Sequence, residues 1–166
     1  MGDGPLIITN KTYVAKAKGP IDLECRVLTS LPQYRPPTRF SGGVLKLENA
    51  TYLLFKSGKV VINGLGPQTN KFINLTKIEI ERPKLLHCGA AMSLMRSLDV
   101  KKLIKVTEST QYEFENHPGI VFKLGHVSVT AHESGAIFIC GCKGAVDATR
   151  VARKVVKLIN THEVSL

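Results

Sequence analysis

At 166 residues the chain has room for one domain of ordinary size or two small fused halves. Its 43% hydrophobic and 22% charged residues exclude wholesale disorder. Lys and Arg number 23 against 13 Asp and Glu, a net charge of +10, which suits a polyanion such as DNA, RNA or an anionic membrane surface; solubility alone is the plain alternative.

The predicted elements begin with an opening strand over Leu6 to Lys16 and a helix over Ile21 to Leu31. Apolar-rich strands follow at 43–47 and 51–55, joined through Glu48-Asn49-Ala50. Lys56-Ser57-Gly58 is a tight turn. From Lys59 to Asn63 the residues alternate, with Val60 and Ile62 on one face and Lys59, Val61 and Asn63 on the other. A second opening strand is expected over Phe72 to Glu81, with Arg82 to Arg96 open between strand and helix. A helix over Leu98 to Val106 precedes a second strand set, in which Ile137 and Ile139 oppose Ala136, Phe138 and Cys140. A last helix over Val146 to Ile159 carries an apolar stripe of Val151, Val155, Leu158 and Ile159. Arg150, Arg153, Lys154 and Lys157 lie off that stripe, as a solvated face or a partner-binding face. Asp147 stands near the helix start, where a carboxylate suits the dipole.

The sequence repeats itself at an offset of 77. Gly42 falls on Gly119, Val44 on Val121, Lys46 on Lys123 and Leu47 on Leu124. Without a gap, Ser57-Gly58 then falls on Ser134-Gly135, Ile62 on Ile139 and Gly64 on Gly141. The repeats divide the chain into 1–71 and 72–166, fused as one domain.

No run of apolar residues approaches bilayer length, so no membrane association through a span is expected. No apolar core follows a basic start, so no secretory leader is expected, and Leu6 stands where a myristoylation signal needs Ser or Thr. The four cysteines, Cys25, Cys88, Cys140 and Cys142, are then expected as reduced thiols. Cys88, Cys140 and Cys142 with His87 could hold zinc only if the fold gathered them, and the paired Cys-x-x-Cys spacing is absent. His117 and His132 form at most half of a metal site. No metal, cofactor or small-molecule substrate is therefore expected. No Ser-His-Asp grouping, phosphate loop or paired-carboxylate signature appears, so the chain reads as a non-enzyme. Cys140 or Cys142 near His132 is the one nucleophile–base candidate.

Tyr34, Pro37, Arg39 and Phe40, followed by Leu54-Phe55-Lys56-Ser57-Gly58-Lys59-Val60-Val61 and Gly64, resemble the first repeat of the TATA-box-binding protein family. Residues 112–119 resemble the start of the strands in its second repeat. The resemblance implies an α+β fold: two pseudo-symmetric repeats forming one curved antiparallel sheet, a saddle with helices on the convex face. It implies DNA binding through the concave face and bending by phenylalanines inserted at base steps. Phe40 and Phe55 match the first inserted pair; His117 and His132 hold the second-repeat positions. Lys46, Lys59 and Lys123 are expected near phosphates. Val61, Asn63 and Phe138 are expected on the concave strands. Lys59 has Ala136 as its counterpart, and Asn63 and Cys140 hold the family's threonine positions. Asn10 is the candidate for one of the family's two central asparagines. Glu113 and Glu115 match residues that meet the B-type initiation factor in the family. The link from Gly64 to Phe72 is too short for the long helix that follows the family's first repeat, so one convex helix is expected to be missing.

The resemblance implies a transcription initiation factor with double-stranded DNA and transcription proteins as partners, and relaxed TATA readout where the second repeat departs. The alternative is an interaction module that keeps the fold with weak or no DNA binding. The basic charge leads to an expected place in the nucleus, or at a viral replication site in the cytoplasm.

Overall fold

Period-two alternation of apolar and polar residues dominates the chain, and it folds accordingly into antiparallel ladders with one face turned to a core. The structure, a computed structural model, describes residues 3–107, 119–162 and 164. The described elements, in order, are β1 (Ile7–Lys16), α1 (Arg26–Thr29), β2 (Tyr34–Arg35), β3 (Gly43–Lys46), β4 (Ala50–Leu54), β5 (Lys59–Gly64), α2 (Thr69–Thr76), β6 (Lys84–Ser93), α3 (Val100–Thr107), β7 (Gly119–Leu124), β8 (Val127–His132), β9 (Ala136–Cys142) and α4 (Ala145–Thr161). They fall into two compact units: Asn10–Leu86, and residues up to Thr9 together with those from His87 onward.

In the Asn10–Leu86 unit the strand order is β2-β3-β4-β5-β1. Leu45, Tyr52, Leu54, Val60 and Ile62 point to one side and are fully buried with Leu28 of α1 and Phe72 of α2. The Tyr34 hydroxyl donates to the Leu23 carbonyl at 2.7 Å, tying β2 to the segment before α1. Tyr52 stacks on Phe72, with centroids 4.3 Å apart and planes at 8°, and its hydroxyl donates to the Pro67 carbonyl.

The second unit carries the order β6-β9-β8-β7. Ile120, Val127, Val129, Ala131, Ile137 and Ile139 are buried with Leu103 of α3 and Val151, Val155 and Ile159 of α4. The stripe on α4 explains this packing, since residues three and four apart share a helix face.

The 77-residue offset holds at the level of paired backbones. Val61 pairs with Leu53 and Val14, and Phe138 with Thr130 and Ala91. Likewise Asn63 pairs with Thr51 and Thr12, and Cys140 with Ser128 and Gly89. The offset therefore extends to β1 and β6, where side-chain identity had hidden it. The repeated turn needs its glycine in both units: Gly58 has φ +95° and Gly135 φ +92°, a region that favours glycine.

Three expectations need correction. Phe72 to Glu81 is not the second opening strand: α2 occupies Thr69–Thr76, ends where Lys77 turns left-handed, and uses Phe72 to cover Tyr52. The opening strand is β6, within the stretch left open. The helix over Ile21 to Leu31 shrinks to the single turn α1. Asp22 Oδ1 accepts the Glu24 N–H at 3.1 Å, an Asx turn that competes with helix, and Cys25 is extended. Finally, the short link after Gly64 still holds a helix, but α2 has 8 residues against 17 in α4.

Candidate nucleic-acid interface

Opposite its core, each unit leaves one sheet face uncovered by its own helices. In the first unit that face carries Val44, Lys46, Thr51, Leu53, Lys59, Val61 and Asn63 on β3, β4 and β5. Lys46, Lys59 and Asn63 are exposed and Val61 is half-buried. The Thr12 hydroxyl donates to Asn63 Oδ1 at 2.8 Å, which leaves the amide nitrogen of Asn63 aimed elsewhere. In the second unit the matching face carries Lys123, Thr130, His132, Ala136, Phe138 and Cys140. Here Cys140 faces Gly89, so the polar pair of the first unit has no counterpart. The offset also carries Asn10 onto His87.

Aromatic side chains gather at the strand ends. Phe40 precedes β3 and Phe55 follows β4; their rings meet edge to face, with centroids 5.7 Å apart and planes at 75°. Phe40 remains 44% exposed. A Cβ on Gly42 would come within 2.7 Å of Phe40 Cε1, so this glycine makes room for the ring. Its counterpart Gly119 stands where a Cβ would lie 3.0 Å from His132 Nδ1 and 2.6 Å from the Ala131 carbonyl oxygen. In the second unit His132 meets Phe138 edge-on. Phe138 is 44% exposed, the largest apolar side chain on that face. His117, Glu113 and Glu115 lie outside the described residues.

Sequence reasoning missed a basic groove beside the first unit's sheet. Lys16 pairs with Lys59 in the β1–β5 register. The Glu81 N–H donates to the Lys16 carbonyl at 2.9 Å and Ala17 bridges to Ile80, which brings Arg82 and Lys84 alongside. Lys16, Lys59, Arg82 and Lys84 then line one groove with a single carboxylate, Glu81. The cluster forms through a long-range bridge, so spacing along the chain carried no signal for it.

The nucleophile–base candidate does not assemble. Cys140 pairs with Ser128, four residues along β8 from His132, a separation of about 13 Å at the usual strand rise. Cys142 is fully buried, and burial pushes its thiol up to about 11, which disfavours the thiolate. Among the described residues no three His, Cys, Asp or Glu side chains are grouped to hold a metal ion.

On the other side of the second unit, Arg150, Arg153, Lys154 and Lys157 are all exposed along α4. The start of that helix is fixed by Asp147, whose Oδ2 accepts the Lys143 N–H at 2.8 Å and lies 2.6 Å from His126 Nε2. The Lys143 bond first, and His126 second, hold this carboxyl below its ordinary value.

Comparison with known proteins places this architecture. The family model described as transcription factor TFIID (or TATA-binding protein, TBP) matches residues 82–162. The chain is 30% identical over 169 residues to the TATA-box-binding protein of Methanocaldococcus jannaschii, with 92% of each chain covered. It is 31% identical over 124 residues to TATA-box-binding protein 2 of Methanosarcina acetivorans, covering 63% of this chain and 67% of that one. Among solved structures, Methanococcus jannaschii TBP superposes with a TM-score of 0.79 at 26% identity, covering 94% of this chain and 98% of that one. The α+β fold is thus that of TBP. With the repeated ladders, the uncovered lysine-bearing faces and this similarity along nearly its whole length, the chain belongs to the TATA-box-binding protein family.

Proposed function

We propose that this protein is a DNA-binding transcription initiation factor that engages the minor groove of double-stranded DNA with its uncovered sheet faces and bends the duplex. The observation that carries the reading is the repetition, in one register, of a lysine (Lys46 and Lys123) and of an aromatic strand end (Phe55 and His132) on those faces. Lys46, Lys59 and Lys123 neutralise phosphates and set position, while the groove-facing residues Val61, Asn63 and Phe138 meet base edges. Phe40 and Phe55 are the wedges of the first unit; His132, with His117, takes the corresponding role in the second more weakly.

TATA selectivity is relaxed on this reading. Asn63 and Cys140 stand at the family's threonine positions, and Asn63 is already engaged by Thr12. The exposed cations of α4 serve a transcription protein as partner, and Glu113 and Glu115 serve a B-type initiation factor. The protein acts where its template lies, in the nucleus or at a cytoplasmic viral replication site.

The test is salt-titrated binding to TATA-containing and unrelated duplexes. A steep salt slope with little preference between the duplexes supports the proposal; absence of binding at low salt overturns it. The second reading, an interaction module without strong DNA binding, draws on the same replacements: Ala136 for lysine, His132 for phenylalanine and Cys140 opposite Gly89 leave the second face poor in phosphate and base contacts.

A further inference from the structure

We propose that the outer face of α4 is a docking site for an acidic, amphipathic segment of a partner protein. The proposal rests on the reading of α4 as a partner face and adds the chemistry of the partner. Arg150, Arg153, Lys154 and Lys157 follow i, i+3, i+4 and i+7 spacing, which puts them in one stripe over about 10 Å of helix. Among the described residues, the ion pairs are Lys18–Glu79 and His126–Asp147, so none of these four cations is ion-paired. Asp147, the acid nearest Arg150 in sequence, is hydrogen-bonded by Lys143 and His126, and Arg150 acts on it only as the least of the influences on its carboxyl.

Charge alone would describe an ordinary solvated helix. The second feature is a trough of mixed lining beside the stripe, with Leu6, Ala152 and Val156 as its apolar part. Leu6, from the segment ahead of β1, shares the trough's lining with Ala152 and Val156 of α4, with Arg153 and Lys157, and with the polar Thr149, Asn160 and Thr161; Asp3 is the trough's one carboxylate. Leu6 and Val156 are half-buried and rest on the core of this unit, so the floor is held in place. On the far side of the same two cations a second hollow is lined by Val146, Arg150 and Lys154, and Val146 is 75% exposed. Arg153 and Lys157 thus line both hollows, each of which also presents apolar side chains.

That combination selects one occupant. A nucleic acid would use the cations and leave Leu6, Val156 and Val146 idle. A neutral apolar peptide would desolvate four unpaired cations without compensation. A segment with carboxylates on one face and leucine-type side chains on the other satisfies both. The corresponding helix of the first unit cannot offer the same surface, because α2 has 8 residues and one cation, Lys71. The surface is therefore unique to the second repeat, and a partner reading it would bind the protein in one orientation despite the internal duplication.

The experiment uses the whole chain and a fluorescein-labelled synthetic peptide of glutamates with leucines on one helical face. Two control peptides replace the glutamates with glutamine or the leucines with serine. The expected result is that either control binds roughly tenfold more weakly than the parent peptide, and that Arg153→Glu with Lys157→Glu abolishes binding. Leu6→Ser tests the trough separately and is expected to weaken the parent peptide but not the serine control. No binding of the parent peptide overturns the proposal, as does equal binding of all three peptides. Displacement of the peptide by duplex DNA, or loss of DNA binding in Arg153→Glu with Lys157→Glu comparable to that from the sheet lysines, would assign α4 to nucleic acid instead. Because the peptide measurement needs no DNA, a failure of DNA binding by the parent protein leaves this readout intact and separate.

Discussion

The His132 ring stands edge-on to Phe138, with centroids 5.5 Å apart and planes at 88°. At the matching strand ends of the first unit, Phe40 and Phe55 meet in nearly the same way, at 5.7 Å and 75°. The aromatic contact is thus kept in both units while its composition changes. In the first unit both rings are apolar; in the second one is an imidazole, and its partner has moved from the strand end to mid-strand β9.

The first prediction follows from this asymmetry. Separating a base step costs a few kcal/mol, and an apolar ring offsets more of the lost stacking than a hydrated imidazole does. Phe40→Ala with Phe55→Ala is expected to remove most of the bend, as read by energy transfer across a doubly labelled duplex. His117→Ala with His132→Ala should remove far less. Equal losses would make the histidines wedges in their own right.

The second prediction concerns phosphate contacts. Each lysine that releases a counterion contributes about 0.9 to the slope of log affinity against log salt. Replacing Lys46, Lys59 and Lys123 with alanine should flatten that slope by roughly 2.7 if each meets one phosphate. Adding Lys16→Ala and Lys84→Ala from the basic groove should flatten it further. A slope unchanged by the triple substitution would remove these lysines from the interface.

Much of this layout is legible in the sequence, and the exceptions have physical causes. Strands β3, β4, β5 and β9 follow their alternation because one face is buried and the other is not, and the turn glycines recur because their φ demands it. β6 escaped because Gly89, Ala91 and Ser93 replace Thr12, Val14 and Lys16 with small side chains, which erases the repeat in residue identity while the pairing keeps it. The run from Phe72 to Ile80 imitated a strand, yet Phe72 is claimed by stacking on Tyr52, a contact no local pattern announces. The aromatic ends at Phe40 and Phe55 were readable from motif, whereas the Arg82–Lys84 groove depends on a bridge far along the chain. The family model matches residues 82–162, the half in which His132, Ala136 and Cys140 replace residues of the family's pattern.

The third prediction tests that hidden contact. Phe72 is fully buried between α2 and β4, so Phe72→Ala should destabilise the protein by about 3–5 kcal/mol through lost burial and a cavity. Tyr52→Phe removes the hydroxyl that reaches the Pro67 carbonyl but keeps the stack, and should cost about 1 kcal/mol. Chemical denaturation of both variants checks the order. A Tyr52→Phe loss as large as that of Phe72→Ala would mean that the Pro67 bond, not the stack, anchors α2.

The fourth prediction concerns acid stability through Asp147. Its carboxyl is held below the ordinary 3.8, first by the Lys143 N–H and then by His126, against the opposing effect of burial. A depressed folded value means that the unfolded state binds the proton more readily. The contribution is therefore fully present at pH values above the ordinary carboxylate range. It declines as pH falls from there and is gone below the depressed folded value. Asp147→Asn keeps an acceptor for the Lys143 N–H and removes only the charge, so the helix start can still close. The variant should melt at a lower temperature than the parent near neutral pH, and the gap should narrow as the solution is acidified through the carboxylate range. His126→Ala in the parent background should reproduce part of the neutral-pH loss, because it removes one of the two groups on Asp147 Oδ2. Thermal unfolding followed by circular dichroism across that range reads all three proteins. A gap that stays constant with pH would show that Asp147 acts by shape rather than by charge, and would leave the start of α4 to the Lys143 bond alone.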